Sequence, residues 1–385
     1  MRILYVISEL TMGGAQKQLV ELARQLATRG HEVTIYTLNA DVPRQTELQG
    51  SGVNLIVDQK QSRLDLSLLR RLRRTVTEWR PDIVHGFLFD GDFYSRVACL
   101  GTGIPVLNSE RSDSYHLSGA QRVAHRLTRG LARGVVANTY AGGAFAQKLF
   151  GIAGENIHVV YNGVRLEDLE SRAAAAIDYR NQFFGQPDVR VACFVGAIKP
   201  AKDFHLALAT AARLIAGDPR WRVLMLGEQL TTAGLYKAGS DSDTGEYKAE
   251  VLRHHQSLGM PDKIKFGGLR TDVPAIMRQC DALYVTSVRE GFPNVVLEAM
   301  ALGVPVVSTE YSDIRRILPF AWQVVASRQP DDIAAAIIEV TRRNDVVAAR
   351  QRQWVWNNAT IEGCARALEN VYQKYSRSEP CPQTA

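Results

Sequence analysis

Short apolar runs of three to six residues alternate with longer amphipathic stretches from Ile3 to Val325, and few folds accept that rhythm. The first set of runs lies at Ile3–Ile7, Val33–Tyr36, Asn54–Val57, Ile83–Gly86, Val106–Asn108, Val135–Ala137 and His158–Tyr161. A second set lies at Val191–Gly196, Arg222–Gly227, Ile264–Phe266, Ala282–Thr286, Val304–Ser308 and Ala321–Val325. Strands separated by helical patterns predict α/β architecture with parallel sheets, because parallel neighbours need a crossover that a helix supplies. A chain of 385 residues exceeds what one core comfortably holds. The stretch between Arg165 and Arg190 is polar and partly alanine-rich, with Gly185 and Pro187. The expected division is therefore a Rossmann-like domain over 1–170, a linker over 171–190, and a second Rossmann-like domain over 191–360. A terminal helix is expected over 361–378 and a disordered tail over 379–385. In such sheets ligands bind beyond the carboxyl ends of the strands.

Composition narrows the partners. Hydrophobic residues make up 46% and charged residues 22%, ordinary values for a globular chain. The net charge of +6 favours anionic partners such as nucleotide phosphates or acidic lipid headgroups. Nucleic acid is not expected, since no recognised motif accompanies the charge. The cysteines (Cys99, Cys193, Cys280, Cys364, Cys381) are scattered and odd in number, which suits a reducing compartment and no structural metal. With no apolar run of membrane-spanning length and no signal-like leader, a cytoplasmic protein is expected.

The most informative stretch is 289–305, Arg-Glu-Gly-Phe-Pro-Asn-Val-Val-Leu-Glu-Ala-Met-Ala-Leu-Gly-Val-Pro. Pro293 suits a first helical turn, and Gly303 with Pro305 gives the stop signal. Free backbone N–H groups in the stretch from Gly291 to Val295, with Phe292 and Asn294 among the donors and Pro293 lacking one, would then surround an anion site at the helix N-terminus. Glu298 falls about 7.5 Å further along the axis than Pro293, at the helical rise. One carboxylate reaches the helix mouth and the other its flank. A nucleotide sugar matches that layout, with a diphosphate for the amides and hydroxyls for the acids.

Glu290 and Glu298, with Gly-Phe-Pro-Asn between them and Glu-Ala-Met-Ala after, resemble the E-x7-E signature of retaining GT-B glycosyltransferases of family 4. The resemblance covers nearly the whole chain and is strongest at 191–203 and 282–310. It implies the GT-B architecture, two Rossmann-like domains facing across a cleft, with the C-terminal helix returning to the first. It implies transfer of a sugar from a nucleoside diphosphate, UDP favoured, to an acceptor hydroxyl. A glycan or lipid-linked acceptor in bacterial polysaccharide assembly fits the family's habit. Glu290 resembles the donor-sugar ligand and Glu298 the ribose ligand. Lys202 matches a phosphate-binding lysine, and Gly13 with Gly14 matches a glycine pair facing the donor. The chain departs from the pattern in three places. Ala197 stands where many relatives carry arginine, with Lys199 the candidate replacement cation. Arg111 stands where several relatives place histidine. Ser312-Asp313 and Arg316 stand where others continue with Gly-Gly and glutamate. Glu290, Lys202 and Arg111 are the catalytic candidates. His85, Asp90, Asp92, Glu110, Asp113 and His116 are the acceptor-side candidates.

The Asp-x-Asp strings at Asp90–Asp92 and Asp241–Asp243 are read as coincidental, because lysines and helix amides already supply positive field. No metal or cofactor is expected beyond the donor itself. The stretch 228–250 is longer than a usual connection and reads either as a flap or as a surface insertion. Two alternatives stay open: a nucleotide-sugar epimerase, and a non-catalytic nucleotide-sugar binder. Two segments pair an apolar stripe with arginines. In Leu66–Trp79 the stripe is Leu69, Leu72, Val76 and Trp79; in Gln121–Gly134 it is Val123, Leu127 and Leu131. The first reads as a helix packed on a core. The second, following the expected acceptor loop, reads as a contact for an anionic membrane surface.

Overall fold

The computed structural model describes residues 1–62, 64–112, 117–174, 176–227 and 242–376. The chain divides into two compact units, Met1–Gly163 together with the chain from Asn358 onward, and Val164–Asn357.

The first unit is built on strands β1 (Arg2–Ile7), β2 (Glu32–Thr37), β3 (Asn54–Val57), β4 (Ile83–Phe87), β5 (Val106–Glu110), β6 (Gly134–Ala137) and β7 (Ile157–Val159). They pair in parallel in the order β3-β2-β1-β4-β5-β6-β7. Helices α1 (Gly14–Thr28), α2 (Leu66–Trp79), α3 (Leu88–Ala98), α4 (Gly119–Thr128) and α5 (Tyr140–Phe150) connect them. Successive side chains on a strand point to opposite faces. Ile3, Tyr5 and Ile7 therefore enter one core with Leu19, Leu22 and Leu26 of α1, while Leu4 and Val6 enter another with Leu68, Leu72 and Val76 of α2. Burial on both faces is why β1 reads as an unbroken apolar run from Ile3 to Ile7.

The second unit repeats the plan with β8 (Arg190–Val195), β9 (Trp221–Leu226), β10 (Ile264–Gly268), β11 (Ala282–Val285), β12 (Val306–Thr309) and β13 (Val324–Val325), ordered β10-β9-β8-β11-β12-β13. Its helices are α6 (Leu166–Ala173), α7 (Tyr179–Phe184), α8 (Phe204–Gly217), α9 (Ser242–Ser257), α10 (Val273–Arg278), α11 (Asn294–Leu302), α12 (Ile314–Ile317), α13 (Pro330–Arg342) and α14 (Asn344–Asn358). The final helix, α15 (Ile361–Ser376), places Leu368 and Tyr372 in the core of the first unit. There Glu369 accepts from Arg29 Nε and Nη2 at 2.6 and 2.7 Å and meets His31 Nε2 at 2.8 Å.

Two readings are corrected. Ala321–Gln323 is a 3₁₀ turn, and only Val324–Val325 pairs as strand. The 171–190 stretch is not a bare linker. It carries the end of α6 and all of α7, which Asp178 caps through Asn181 N–H at 3.0 Å. Tyr179 Oη donates to Asp272 at 2.8 Å, and Arg180 Nε donates to the Gln279 carbonyl at 2.9 Å, so this stretch is part of the second unit. The boundary instead follows Gly163. Its N–H and carbonyl both bond the Gln18 carboxamide at 2.9 Å, and a Cβ there would come within 2.7 Å of Ile361 Cα.

The two basic amphipathic segments part company. In α2 the stripe is buried at Leu68, Leu72 and Val76, with Leu69 and Trp79 partly buried against it. Its arginines are used locally, Arg71 on Asp58 at 2.8 Å and Arg73 on the Leu100 carbonyl at 2.7 Å. In α4, by contrast, Val123 is 59% and Leu127 78% exposed, and Arg122 and Arg126 are exposed as well. The face of α4 that packs inward holds Gln121, Ala124, His125 and Thr128 instead.

Candidate active site

Both sheets reverse direction of growth at one point, β1/β4 in the first and β8/β11 in the second. Strand ends at such a point splay apart and leave a crevice. In the second unit, the residues after β8 are the turn Lys199–Asp203, and those after β11 are Thr286–Pro293. Lys202 and Glu290 meet there as a part-buried ion pair. Ser287 Oγ donates to Glu290 Oε1 at 2.8 Å and fixes the carboxylate further. Thr286 Oγ1 reaches the Lys202 and Asp203 carbonyls at 2.8 and 2.9 Å, and Val288 N–H donates to the Ala201 carbonyl at 2.8 Å. The lysine turn is thus stitched to the exit of β11.

Glycines make the approach feasible. A Cβ on Gly196 would come within 3.2 Å of Lys202 Cε, and one on Gly227, at φ +122°, within 2.5 Å of the Gly196 carbonyl oxygen. Tyr311 is buried nearby, and burial first, then the Glu290 carboxylate, pushes its phenol pKa well up.

Helix α11 begins at Asn294, with Pro293 as its N-cap rather than inside the first turn. The amides of Val296 and Leu297 turn back to the Pro293 carbonyl at 3.1 and 3.3 Å. The anion-facing end is therefore shorter than the 291–295 expected, and Gly291 and Phe292 precede the helix, with Phe292 buried. The positive end of the helix dipole still opens beside Glu290 in sequence. Glu298 lies mid-helix and is half-buried, as are Asn294 and Val295, while Lys199 is exposed.

The first unit treats its candidates differently. Gly13 is the N-cap of α1 directly beyond β1, and a Cβ there would meet the buried Gln16 carboxamide at 2.3 Å; Gly14 opens the helix. His85 is fully buried, not open to an acceptor. The hydrogen-bond chain assigns its tautomer: Ser109 Oγ donates to Nε2 at 2.8 Å, Nδ1–H donates to Tyr372 Oη at 2.6 Å, and Tyr372 donates to Tyr5 Oη at 2.9 Å. Burial and then Arg111 hold the imidazole well below its usual pKa, so it is neutral. Asp92 is buried and accepts from Ser109 N–H at 3.3 Å, and burial pushes its carboxyl well above the usual range. Glu110 is buried and accepts from Ser112 N–H at 3.0 Å. None of these three presents an open group to a substrate. Asp90 pairs with Lys60 at 2.7 Å at a cavity of about 530 Å³ lined also by Leu64, Phe89, Phe93 and Ala124. Arg111 lies just past β5, its guanidinium 4.6 Å over the Phe87 ring and donating to Asn162 Oδ1 at 3.1 Å. Burial pushes its pKa down to about 10. Asp113, His116 and the 228–241 part of the long connection lie outside the described residues, while 242–250 begins α9.

Models of known families match both halves: Glycosyltransferase Family 4 over residues 12–168 and Glycosyl transferases group 1 over residues 177–358. The chain belongs to glycosyltransferase family 4 and has the GT-B fold. This family 4 glycosyltransferase is 26% identical over 374 residues to a D-inositol 3-phosphate glycosyltransferase of Geodermatophilus obscurus, covering 89% of this chain and 80% of that one. It is 26% identical over 215 residues to the lipopolysaccharide core biosynthesis mannosyltransferase LpsB of Rhizobium meliloti, covering 54% of this chain and 56% of that one. Among solved structures, Anabaena HepE in complex with UDP superposes with a TM-score of 0.81 at 21% identity, covering 97% of this chain and all of that one. Ser287, Thr286, Tyr311 and Arg328 join the candidate site without a sequence cue: the first two follow β11, and the others follow β12 and β13.

Proposed function

We propose that this glycosyltransferase moves a sugar from UDP to an acceptor hydroxyl with retention of configuration. The observation that carries the reading is the Lys202–Glu290 pair held between the ends of β8 and β11, at the switch point of the nucleotide-type sheet. An ammonium has three donors, so Lys202 can keep Glu290 and still meet a phosphate oxygen. Cations and aimed amides stabilise the charge that grows on a departing diphosphate. Glu290 then holds hydroxyls of the transferred sugar and Glu298 those of the ribose. The sugar's C1–O bond to the diphosphate breaks while the acceptor oxygen bonds C1 on the same face. The acceptor proton passes to the leaving diphosphate, and no second enzyme carboxylate is needed as nucleophile. The positive field comes from Lys202, Lys199 and the start of α11, and activity is expected to survive chelation of divalent ions. UDP is the nucleotide to test first because HepE, of the same fold, was crystallised with UDP and with UDP-glucose.

The acceptor is lipid-linked on this reading. Support comes from α4, whose exposed Val123 and Leu127 adjoin exposed Arg122 and Arg126, a pattern suited to an anionic bilayer surface. Among the described residues no helix is long and apolar enough to cross a membrane.

A thermal-shift panel of UDP, GDP and ADP with their sugars tests the donor. Ligand linkage predicts that UDP and one UDP-sugar raise the melting temperature most. Equal response to all three nucleotides, or to none, rejects the donor assignment. Co-sedimentation with phosphatidylglycerol vesicles tests the surface: the protein should pellet at low salt, and Arg122→Glu with Arg126→Glu should leave it in the supernatant. Equal binding to neutral phosphatidylcholine vesicles goes against the membrane assignment.

A further inference from the structure

Asp203 and Arg328 sit in the left-handed backbone region, at φ 49° and 51°, although neither is glycine. Glycine would adopt both conformations without steric cost. The side chains found there instead meet each other. Arg328 Nη2 donates to Asp203 Oδ2 at 2.6 Å and to the Thr286 carbonyl at 3.1 Å, and Nη1 donates to the Ser287 carbonyl at 3.1 Å. Asp203 Oδ1 also caps α8 by accepting from Leu206 N–H at 3.1 Å. One guanidinium thus binds the residue after Lys202 and the two carbonyls at the exit of β11, four and three residues before Glu290. A planar fork holds several acceptors in a fixed arrangement, which an ammonium cannot do. Strain at two positions, retained where it joins the lysine turn to the glutamate loop, is the signature of a preorganised site.

We infer that Arg328 and Asp203 form a clamp that fixes Lys202 relative to Glu290, making Arg328 a positioning residue for the phosphate site. The inference rests on the donor reading given under Proposed function. Arg328 acts through Lys202 and need not touch the ligand.

Calorimetric titration with UDP tests this on the full chain, with wild type, Lys202→Ala, Arg328→Ala, the double variant, Asp203→Asn and Arg328→Lys. Asparagine tolerates the left-handed region and keeps the cap while removing the charge. Arg328→Ala should weaken UDP binding about tenfold, the scale of a lost charge-assisted contact. In the Lys202→Ala background it should cost nothing further. Asp203→Asn and Arg328→Lys should lie between, with melting temperatures near wild type. Wild-type affinity in Arg328→Ala overturns the clamp. So does a loss of the same factor in both backgrounds, or one seen only with a collapse in melting temperature. Wild-type affinity in Lys202→Ala is a different failure, which removes the phosphate reading itself.

Discussion

The carboxyl ends of the two sheets handle charge in opposite ways. In the second unit, Lys202 and Glu290 sit part-exposed at the ends of β8 and β11, joined to each other but open to a third partner. In the first, His85, Asp92 and Glu110 are drawn inside, where the neutral histidine joins Tyr372, Ser109 and Tyr5. The same strand order therefore yields one end that carries a part-exposed ion pair and another that anchors its own terminal helix. Position near a strand end does not by itself decide whether a titratable residue stays accessible.

The contrast is tested most severely at the exposed pair. Glu290→Ala and Lys202→Ala should each lower UDP release from the preferred donor by about 10²-fold or more, the scale of losing a transition-state contact. Glu298→Ala should chiefly weaken donor binding. The melting temperatures should stay near wild type, because part-exposed ion pairs add little stability. Unchanged kinetics in all three would reject the assignment of this end as the active one.

Tyr372→Phe should behave in the reverse manner. Removing one hydroxyl leaves His85 Nδ1–H and Tyr5 Oη short of a partner in a fully buried chain. The expected cost is about 1–3 kcal/mol in urea unfolding, with UDP affinity unaltered. A large loss of UDP binding at intact stability would make the buried chain part of the site and erase the distinction.

These outcomes bear on how much was legible beforehand. Each strand among the described residues overlaps a run read from the sequence, most plainly β1, whose burial on both faces requires it to be apolar throughout. The Glu290 to Glu298 spacing is legible because a helix and its mouth are local structure. Burial of His85 is not, since it depends on Tyr372, which arrives 287 residues later. Arg328 is hidden for the same reason, lying 125 residues from Asp203. The α4 stripe reads like that of α2 because periodicity reports amphipathicity, and not what covers the apolar face.

A smaller effect is expected where α15 meets α1. The Arg29 hydrogen bonds, and then those of His31, hold Glu369 below the usual carboxylate range. A depressed carboxylate contributes stability that is complete above its unfolded pKa, about 4.3. That contribution is lost as pH falls through the lower folded value. Glu369→Gln should cost on the order of 1 kcal/mol at neutral pH and nothing at strongly acid pH, which urea titrations across that range would show. An equal cost at all pH values would mean that packing, and not charge, secures the helix.

Gly196→Ala should be the mildest change. The added methyl lies 3.2 Å from Lys202 Cε and 3.3 Å from Cδ, atoms near the end of a flexible chain. The lysine can yield by a few tenths of an ångström, so stability should hold. Its ammonium cannot yield without moving relative to Glu290, and catalytic geometry is less forgiving than packing. Turnover should fall a few-fold while melting temperature and circular dichroism stay unchanged. Gly227→Ala supplies the control, since its methyl would strike the Gly196 carbonyl oxygen at 2.5 Å, at φ +122°, and backbone cannot step aside. That variant should lose stability first and activity only as a consequence. If Gly196→Ala matched it, the room beside Lys202 would serve the fold and not the reaction.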